Sequence, residues 1–297
     1  MKRAYVTVLC GGDAYLPGVE VLGRSLVATG TTETRLAMVT PDVSVGARTR
    51  LVEQGWVLRE VEAIANPTQD ALLFPRFANV FTKLRAWELV DFDRVVLLDA
   101  DTLALKNVDD LFERSTFAAG PDFLLPDHFN SGVMVLEPSK ATFGKMRRAL
   151  ADHGTYDGGD QGFLNSFYPD WYALPVEHRL PVGYNMAAFI YQFLRGHQTL
   201  KATVDREARI IHYLIQKPWQ ATSTLTGGSA TWWKTYFELH PEAASAWKSD
   251  VHAAEDWTFD HVVSMLLGSN SGSTLTPGAA PAALASRPAA SIQAPPP

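Results

Sequence analysis

Val95-Val96-Leu97-Leu98-Asp99-Ala100-Asp101 is the stretch on which the fold turns. Four consecutive apolar residues that stop at charge, with no Gly or Pro turn between, suit a central parallel strand covered on both faces. Open α/β sheets take their ligands at the C-terminal ends of such strands. Two Asp one residue apart can turn both carboxylates toward a single hard divalent cation, and that cation can bridge the oxygens of a diphosphate. The chemistry suggested is transfer from a nucleotide-activated donor. A plainer alternative stays open here, because Asp-x-Asp after a strand is also an ordinary turn that caps the next element.

Two other metal-binding patterns fit less well. In a calcium loop, Leu103 stands where a third oxygen ligand belongs and Leu105 where further polarity is expected. Gly18-Val19-Glu20-Val21-Leu22-Gly23-Arg24-Ser25 has the spacing of a phosphate-binding loop with Arg24 in the place of Lys. Val19, Leu22 and Leu26, however, fall on one helical face, so that segment reads as an amphipathic helix.

The 297 residues are 46% hydrophobic and 20% charged, which describes a soluble globular chain organised as one large α/β domain. A formal charge of -6 argues against a nucleic-acid surface. No stretch is long and apolar enough to span a membrane, and the apolar run after Met1-Lys2-Arg3 is too short for a signal peptide. Cys10 is the only cysteine, so a disulfide framework is excluded and a reducing, cytoplasmic setting is expected.

Along the chain, Ala4 to Cys10 reads as a buried first strand, Gly11-Gly12-Asp13 as a turn, and Leu16 to Ala28 as a helix. Leu36–Thr40 and Trp56–Val61 are expected strands around a helix at Val43–Gln54, which Gly55 closes, giving a βαβαβ unit. Asn66 to Asn79 reads as a loop. From Val80 a helix is expected with Val80, Leu84 and Trp87 on one face and Lys83 on a neighbouring one, solvated or reaching a phosphate. Asp109–Phe112 reads as a helical turn, Phe117–Ala119 as a strand edge, and Asn130-Ser131-Gly132 as the opening of a strand at Val133–Leu136. Ser139 is the expected cap of a helix carrying Phe143, Met146 and Leu150 in its core face.

In Tyr156-Asp157-Gly158-Gly159-Asp160-Gln161-Gly162, glycines crowd two carboxylates and an amide ahead of a helix. Asp160 is either the cap of that helix, the reading that composition favours, or a carboxylate held near a ligand. Ile210-Ile211-His212-Tyr213 reads as a strand with His at its end, and Lys217-Pro218-Trp219 follows closely, offering an imidazole for a borderline metal and an ammonium for phosphate. Trp232, Trp233 and Tyr236 read as packing residues of a late helix. Beyond Ser269 the composition turns to Ser, Ala, Pro and Gly, so residues 269–297 are expected to be a disordered tail after a domain at 1–268.

In this order, Ala4 to Thr7, Phe81-Thr82-Lys83-Leu84, Leu98 to Leu103, Phe129-Asn130-Ser131-Gly132, Asp157 to Gly162 and His212 to Trp219 resemble glycosyltransferase family 8, of the glycogenin and galactinol synthase type. The resemblance implies an α/β, single-domain GT-A fold, with a Rossmann-like mixed central sheet flanked by helices. It also implies a manganese-dependent, retaining hexosyltransferase that uses a UDP-sugar. Carried over to this chain, Asp99, Asp101 and His212 would be the metal ligands, a set in which the imidazole tilts preference from magnesium toward manganese. Lys83 and Lys217 would hold phosphate and donor-sugar oxygens. Val8, Leu9 and Tyr15 would line the uridine pocket, with Ala100 and Ser131 beside the nucleotide. Asp122, Asn130, Asp157, Asp160 and Gln161 would face the sugar hydroxyls, and Asp160, Gln161 and Lys217 would carry the catalytic step. Two routes to retention stay open: same-face attack through an ion pair, or double displacement with Asp160 as nucleophile.

The resemblance leaves UDP-glucose and UDP-galactose as donors and a small polyol or glycan as acceptor, with a homodimer as a further partner state. Tyr191 falls near the position of glycogenin's self-glucosylated Tyr, which keeps a self-priming reading alongside that of a packed aromatic. The segment from His212 to Lys217 is one residue shorter than glycogenin's and carries Ile215, so a separate small acceptor is expected. A module that binds UDP-sugar or glycan without turnover is the remaining alternative.

Overall fold

The computed structural model describes residues 1–67, 78–114, 117–150, 155–214, 217–220 and 229–246. The expected tail at 269–297 and its boundary lie outside them, as do most of the 66–79 loop and Ile215. The first strand, β1 (Arg3–Leu9), leads through Gly11 and Gly12, whose positive φ of 72° and 87° suits residues without Cβ, into α1 (Leu16–Ala28). Next come β2 (Thr34–Val39), α2 (Val45–Glu53), with Ser44 capping through the Ala47 N–H, and β3 (Val57–Glu60). The pattern of β-branched strands and amphipathic helices thus produces the expected βαβαβ unit.

Then follow β4 (Arg94–Leu98), β5 (Thr102–Ala104), β6 (Ala118–Pro121) and β7 (Phe129–Leu136). The main sheet has the order β3-β2-β1-β4-β7-β6, in which β1 to β4 run parallel while β7 is antiparallel to both β4 and β6. The central strand is therefore parallel on one side only, a correction to the parallel environment read from Val95 to Leu98. Both faces of β4 are covered, as expected: Val96 and Leu98 join Leu22, Leu26 and Trp56, whereas Val95 and Leu97 join Phe81, Trp87 and Phe163.

The segment Val80–Glu88 is a 3-10 helix, which corrects the expected face. At three residues per turn Phe81, Leu84 and Trp87 align, and all are buried. Lys83 is only 8% exposed, so its solvated reading is wrong: the segment packs against β1, α3 (Lys140–Ala149) and α4 (Asp160–Phe167), and Lys83 lies on a buried side of it. Ser139 caps α3 through the Thr142 N–H, and Met146 and Leu150 are buried.

A second sheet of order β5-β9-β8 is built from β8 (Met186–Ala187) and β9 (Ile210–His212), with α5 (Ala188–Gly196) and α6 (Gln198–Glu207) between them. Helix α7 (Ser229–Leu239) is followed by α8 (Pro241–Ala246). Trp232 and Trp233 pack against Val21, Leu103, Tyr191 and Tyr213, in the structural role expected of them. The buried Glu20 carboxylate accepts from Arg50 and Gln54 of the α2 region and faces His240 after α7, tying these helices to α1. Among the described residues no helix is long and apolar enough to cross a membrane.

Candidate active site

Asp99, Ala100 and Asp101 form the link between β4 and β5, closed by the Thr102 N–H donating to the Asp99 carbonyl at 3.0 Å. The turn reading is correct, and the same turn aims both carboxylates into a cleft, the placement that the ligand reading requires. Gly18 permits the close approach of α1 to it: a Cβ there would lie 2.4 Å from the Ala100 carbonyl oxygen. Gly18 to Ser25 lie within α1, so the phosphate-loop spacing there is helical, as the apolar periodicity indicated.

Two pairings bring distant residues to that turn. Because β7 runs antiparallel to β4, its N-terminal residues Asn130, Ser131 and Gly132 reach the end of β4, where the Asp99 N–H donates to the Gly132 carbonyl at 2.9 Å. Because β5 pairs with β9, Thr102 opposite His212, the imidazole arrives beside Asp101. His212 Nε2 lies 3.2 Å from Asp101 Oδ1 and 3.9 Å from Asp99 Oδ2. Ligand atoms of Asp99, Asp101 and His212 all lie within 4.8 Å of one another, a geometry able to hold a metal ion.

Both expected lysines are buried in the same place. Lys83 Nζ sits 2.7 Å from Asp99 Oδ1, 2.6 Å from Asp160 Oδ2 and 3.2 Å from Ser131 Oγ. Lys217 Nζ bonds Asp101 Oδ2 and the Tyr213 carbonyl. Burial alone would raise the Asp101 pKa, yet Lys217 and His212 hold that carboxyl well below its usual range. Asp99 is raised, because enclosure and the neighbouring Asp101 and Asp160 carboxylates outweigh Lys83. Burial would lower the Lys83 pKa, and Asp160 with Asp99 overcomes that and raises it.

Asp160 is the first residue of α4, and its side chain bonds Lys83 and Ser131 instead of capping. The favoured cap reading is therefore corrected. Asp157 takes that part, its Oδ1 accepting from the N–H groups of Gly159 at 2.8 Å and Gly162 at 3.1 Å. Asp157 also borders the cleft, together with Asn130, Ser131 and Gln161. Asp122 stands behind Gln161, accepting from its Nε2 at 3.0 Å.

Val8 and Tyr15 line the cleft. Leu9 does not: strand alternation turns its side chain to the opposite face, where it is fully buried in the core. Tyr191 is 5% exposed among Leu103, Met186 and Trp232, which supports the packed-aromatic reading. Sequence reasoning did not single out Cys10, Val80 and Leu214 as cleft residues, or Asn185 behind His212. Of these only Leu214 stands within a quoted motif, that from His212 to Trp219; the Cys10 thiol is pushed up to about 11 by burial. Gly132 lay within a quoted motif, and its reason is steric, since a Cβ there would fall 2.1 Å from His212 Cε1.

No family model matches the chain. It is 35% identical over 251 residues to glycogenin-1 of Oryctolagus cuniculus, covering 82% of this chain and 74% of that protein. Over 260 residues it is 36% identical to glycogenin-1 of Caenorhabditis elegans, covering 86% of this chain and 59% of the relative. It is 38% identical over 238 residues to inositol phosphorylceramide glucuronosyltransferase 1 of Arabidopsis thaliana, 73% of this chain but only 42% of that one. The chain thus spans less than two thirds of these last two relatives. Among solved structures, an active-site variant of LgtC superposes with a TM-score of 0.58 at 17% identity, covering 80% of this chain and 95% of LgtC. The glycosyltransferase GlyE of Streptococcus pneumoniae gives 0.56 at 21% identity, covering 83% of this chain and 64% of GlyE.

Proposed function

Since this chain belongs to glycosyltransferase family 8 and has its GT-A fold, we propose that it is a retaining, Mn2+-dependent hexosyltransferase moving glucose or galactose from a UDP-sugar to a hydroxyl of a small polyol or glycan. The observation that carries this reading is the convergence of Asp99, Asp101 and His212 at the ligand end of β4, with Lys83 and Lys217 against the same carboxylates. Carboxylates outnumber ammonium groups around the cleft, and the added imidazole suits manganese better than magnesium, so the donor set fits the ion. When bound there, the ion would neutralise the charge that develops on the departing diphosphate.

The chain's own groups supply the rest. Lys217 adds a second positive charge for the leaving UDP, and Lys83 holds the Asp160 carboxylate beside the space for the donor sugar. Val8 and Tyr15 form the apolar side for uridine. Asn130, Asp157 and Gln161 offer donors and acceptors to sugar hydroxyls. Asp160 would stabilise positive charge at the anomeric carbon in same-face attack, or attack it directly in double displacement. The cytoplasmic setting rests on the single cysteine. A small separate acceptor is favoured over self-modification by the burial of Tyr191.

The test is UDP release from a panel of UDP-glucose, UDP-galactose and UDP-glucuronate with Mn2+, with and without polyol or glycan acceptors. The last donor is included because one relative is named a glucuronosyltransferase. Asp101→Asn, which keeps shape and removes charge, should lower the rate at least ~100-fold, about 3 kcal/mol in the barrier. Undiminished activity in excess EDTA would sink the metal assignment, and UDP-sugar binding without release would favour the non-catalytic alternative.

A further inference from the structure

We infer that Asn185, a residue outside every motif of the sequence, is a positioning residue that holds the His212 ring by accepting from its Nδ1–H, so that Nε2 faces Asp99 and Asp101. The inference rests on the metal-site reading above and concerns how this chain prepares its imidazole before any ion arrives.

The lock follows from a line of side-chain amides whose directions are fixed by backbone groups. The Gly132 N–H donates to Asn130 Oδ1 at 3.0 Å, and a backbone N–H cannot accept, so that atom of Asn130 must be its oxygen. The amide facing the same oxygen at 2.8 Å is Asn185, which must present its NH2. Asn185 then has only its carbonyl oxygen for His212 Nδ1, 2.9 Å away, so Nδ1 carries the proton. Nε2 is left to point at the two carboxylates.

The other end of the line agrees independently. With its oxygen assigned, Asn130 must use its NH2 toward Gln161 Oε1 at 2.8 Å, and Gln161 in turn donates to Asp122 Oδ2 at 3.0 Å. Asp122 is an acceptor there, for its other oxygen takes the N–H groups of Leu124 at 2.8 Å and Leu125 at 3.1 Å. Every amide from Asp122 to His212 is thus oriented the same way. Asn185 and His212 are both buried, so water does not readily replace the bond. Nε2 is thereby held toward the two carboxylates before a cation enters, so the orientation that metal binding needs is already in place.

Two measurements test this without reliance on turnover. In the metal-free protein at pH 8, nitrogen-15 NMR of His212 should show a protonated Nδ1, identified by comparison with His212→Gln; an unprotonated Nδ1 would overturn the inference. Mn2+ affinity, read by electron paramagnetic resonance without nucleotide, should fall ~10-fold or more in Asn185→Leu. In Asn185→Asp, which still accepts from Nδ1–H, the Nδ1 proton should persist. Asn185→Leu with wild-type nitrogen-15 shifts at His212 and wild-type affinity overturns the proposal. If that variant does not fold, the wild-type spectrum and Asn185→Asp still decide it. Wild-type protein that binds no Mn2+ refutes the site reading instead, while the Nδ1 proton continues to report on the lock.

Discussion

Lys83 Nζ lies 2.6 Å from Asp160 Oδ2, a contact between residues 77 positions apart that joins the 3-10 helix under the sheet to the first turn of α4. The pair is buried on both sides, and Asp99 shares the same ammonium at 2.7 Å. Lys83→Met would leave Asp99, Asp101 and Asp160 facing one another with Lys217 as the nearest ammonium. Removing one partner of a buried pair costs about 3–5 kcal/mol. The variant should therefore unfold at distinctly lower urea without metal and regain part of that stability in Mn2+. An unchanged midpoint in both conditions would remove Lys83 from its role as counter-ion.

Gly132 is expected to tolerate no side chain. Its Cβ would sit 2.4 Å from His212 Nδ1, and the ring is held by Asn185, so His212 must turn away. Gly132→Ala should lose UDP release at least ~100-fold together with Mn2+ affinity, by displacing one metal ligand. Full activity would mean the imidazole is not required where the fold puts it.

Tyr191→Phe should retain most UDP release, because the phenol is enclosed by Leu103, Met186 and Trp232 and burial raises its pKa. Intact-mass spectrometry after incubation with UDP-glucose and Mn2+ checks the same point. A ladder of hexose increments on the wild type that vanishes in the variant would establish self-priming and overturn the small-acceptor reading.

Stability at high pH depends on buried phenols. Burial, then the bond from Tyr5 to Asp109 at 2.7 Å, raises the Tyr5 pKa far above its ordinary value. A raised folded value stabilises fully below the unfolded value and loses that contribution as pH climbs above it. Each such phenol should therefore contribute a decline of about 1.4 kcal/mol per pH unit above roughly pH 10. Tyr5→Phe should unfold with a shallower alkaline slope by that amount. Parallel slopes in the two proteins would mean Tyr5 ionises normally in the fold.

Much of this molecule could be read without coordinates, where the signal is local. Leu16–Ala28 is helical because its apolar periodicity, Pro17 at the first turn and the preceding glycine turn all agree. The strand before Asp99 was legible because four apolar residues ending in charge have few other uses, and the order of short motifs named the family's site. The 3-10 form of 80–88 and the antiparallel β7 were not legible, since both depend on what packs beside them.

The sequence by itself determined the alternation of elements, the end of the sheet at which the cleft opens, and the residue types brought there: two Asp, a His and two Lys. Backbone periodicity and side-chain chemistry are properties of short stretches and need no distant partner. Only the tertiary structure decided that Lys83 is buried, that Asp160 pairs instead of capping, that Leu9 faces the core and that Asn185 stands behind His212. Those outcomes rest on contacts such as Lys217 to Asp101, 116 positions apart, and Asn185 to Asn130, 55 apart, whose energy exists only once the sheet has brought the two ends together.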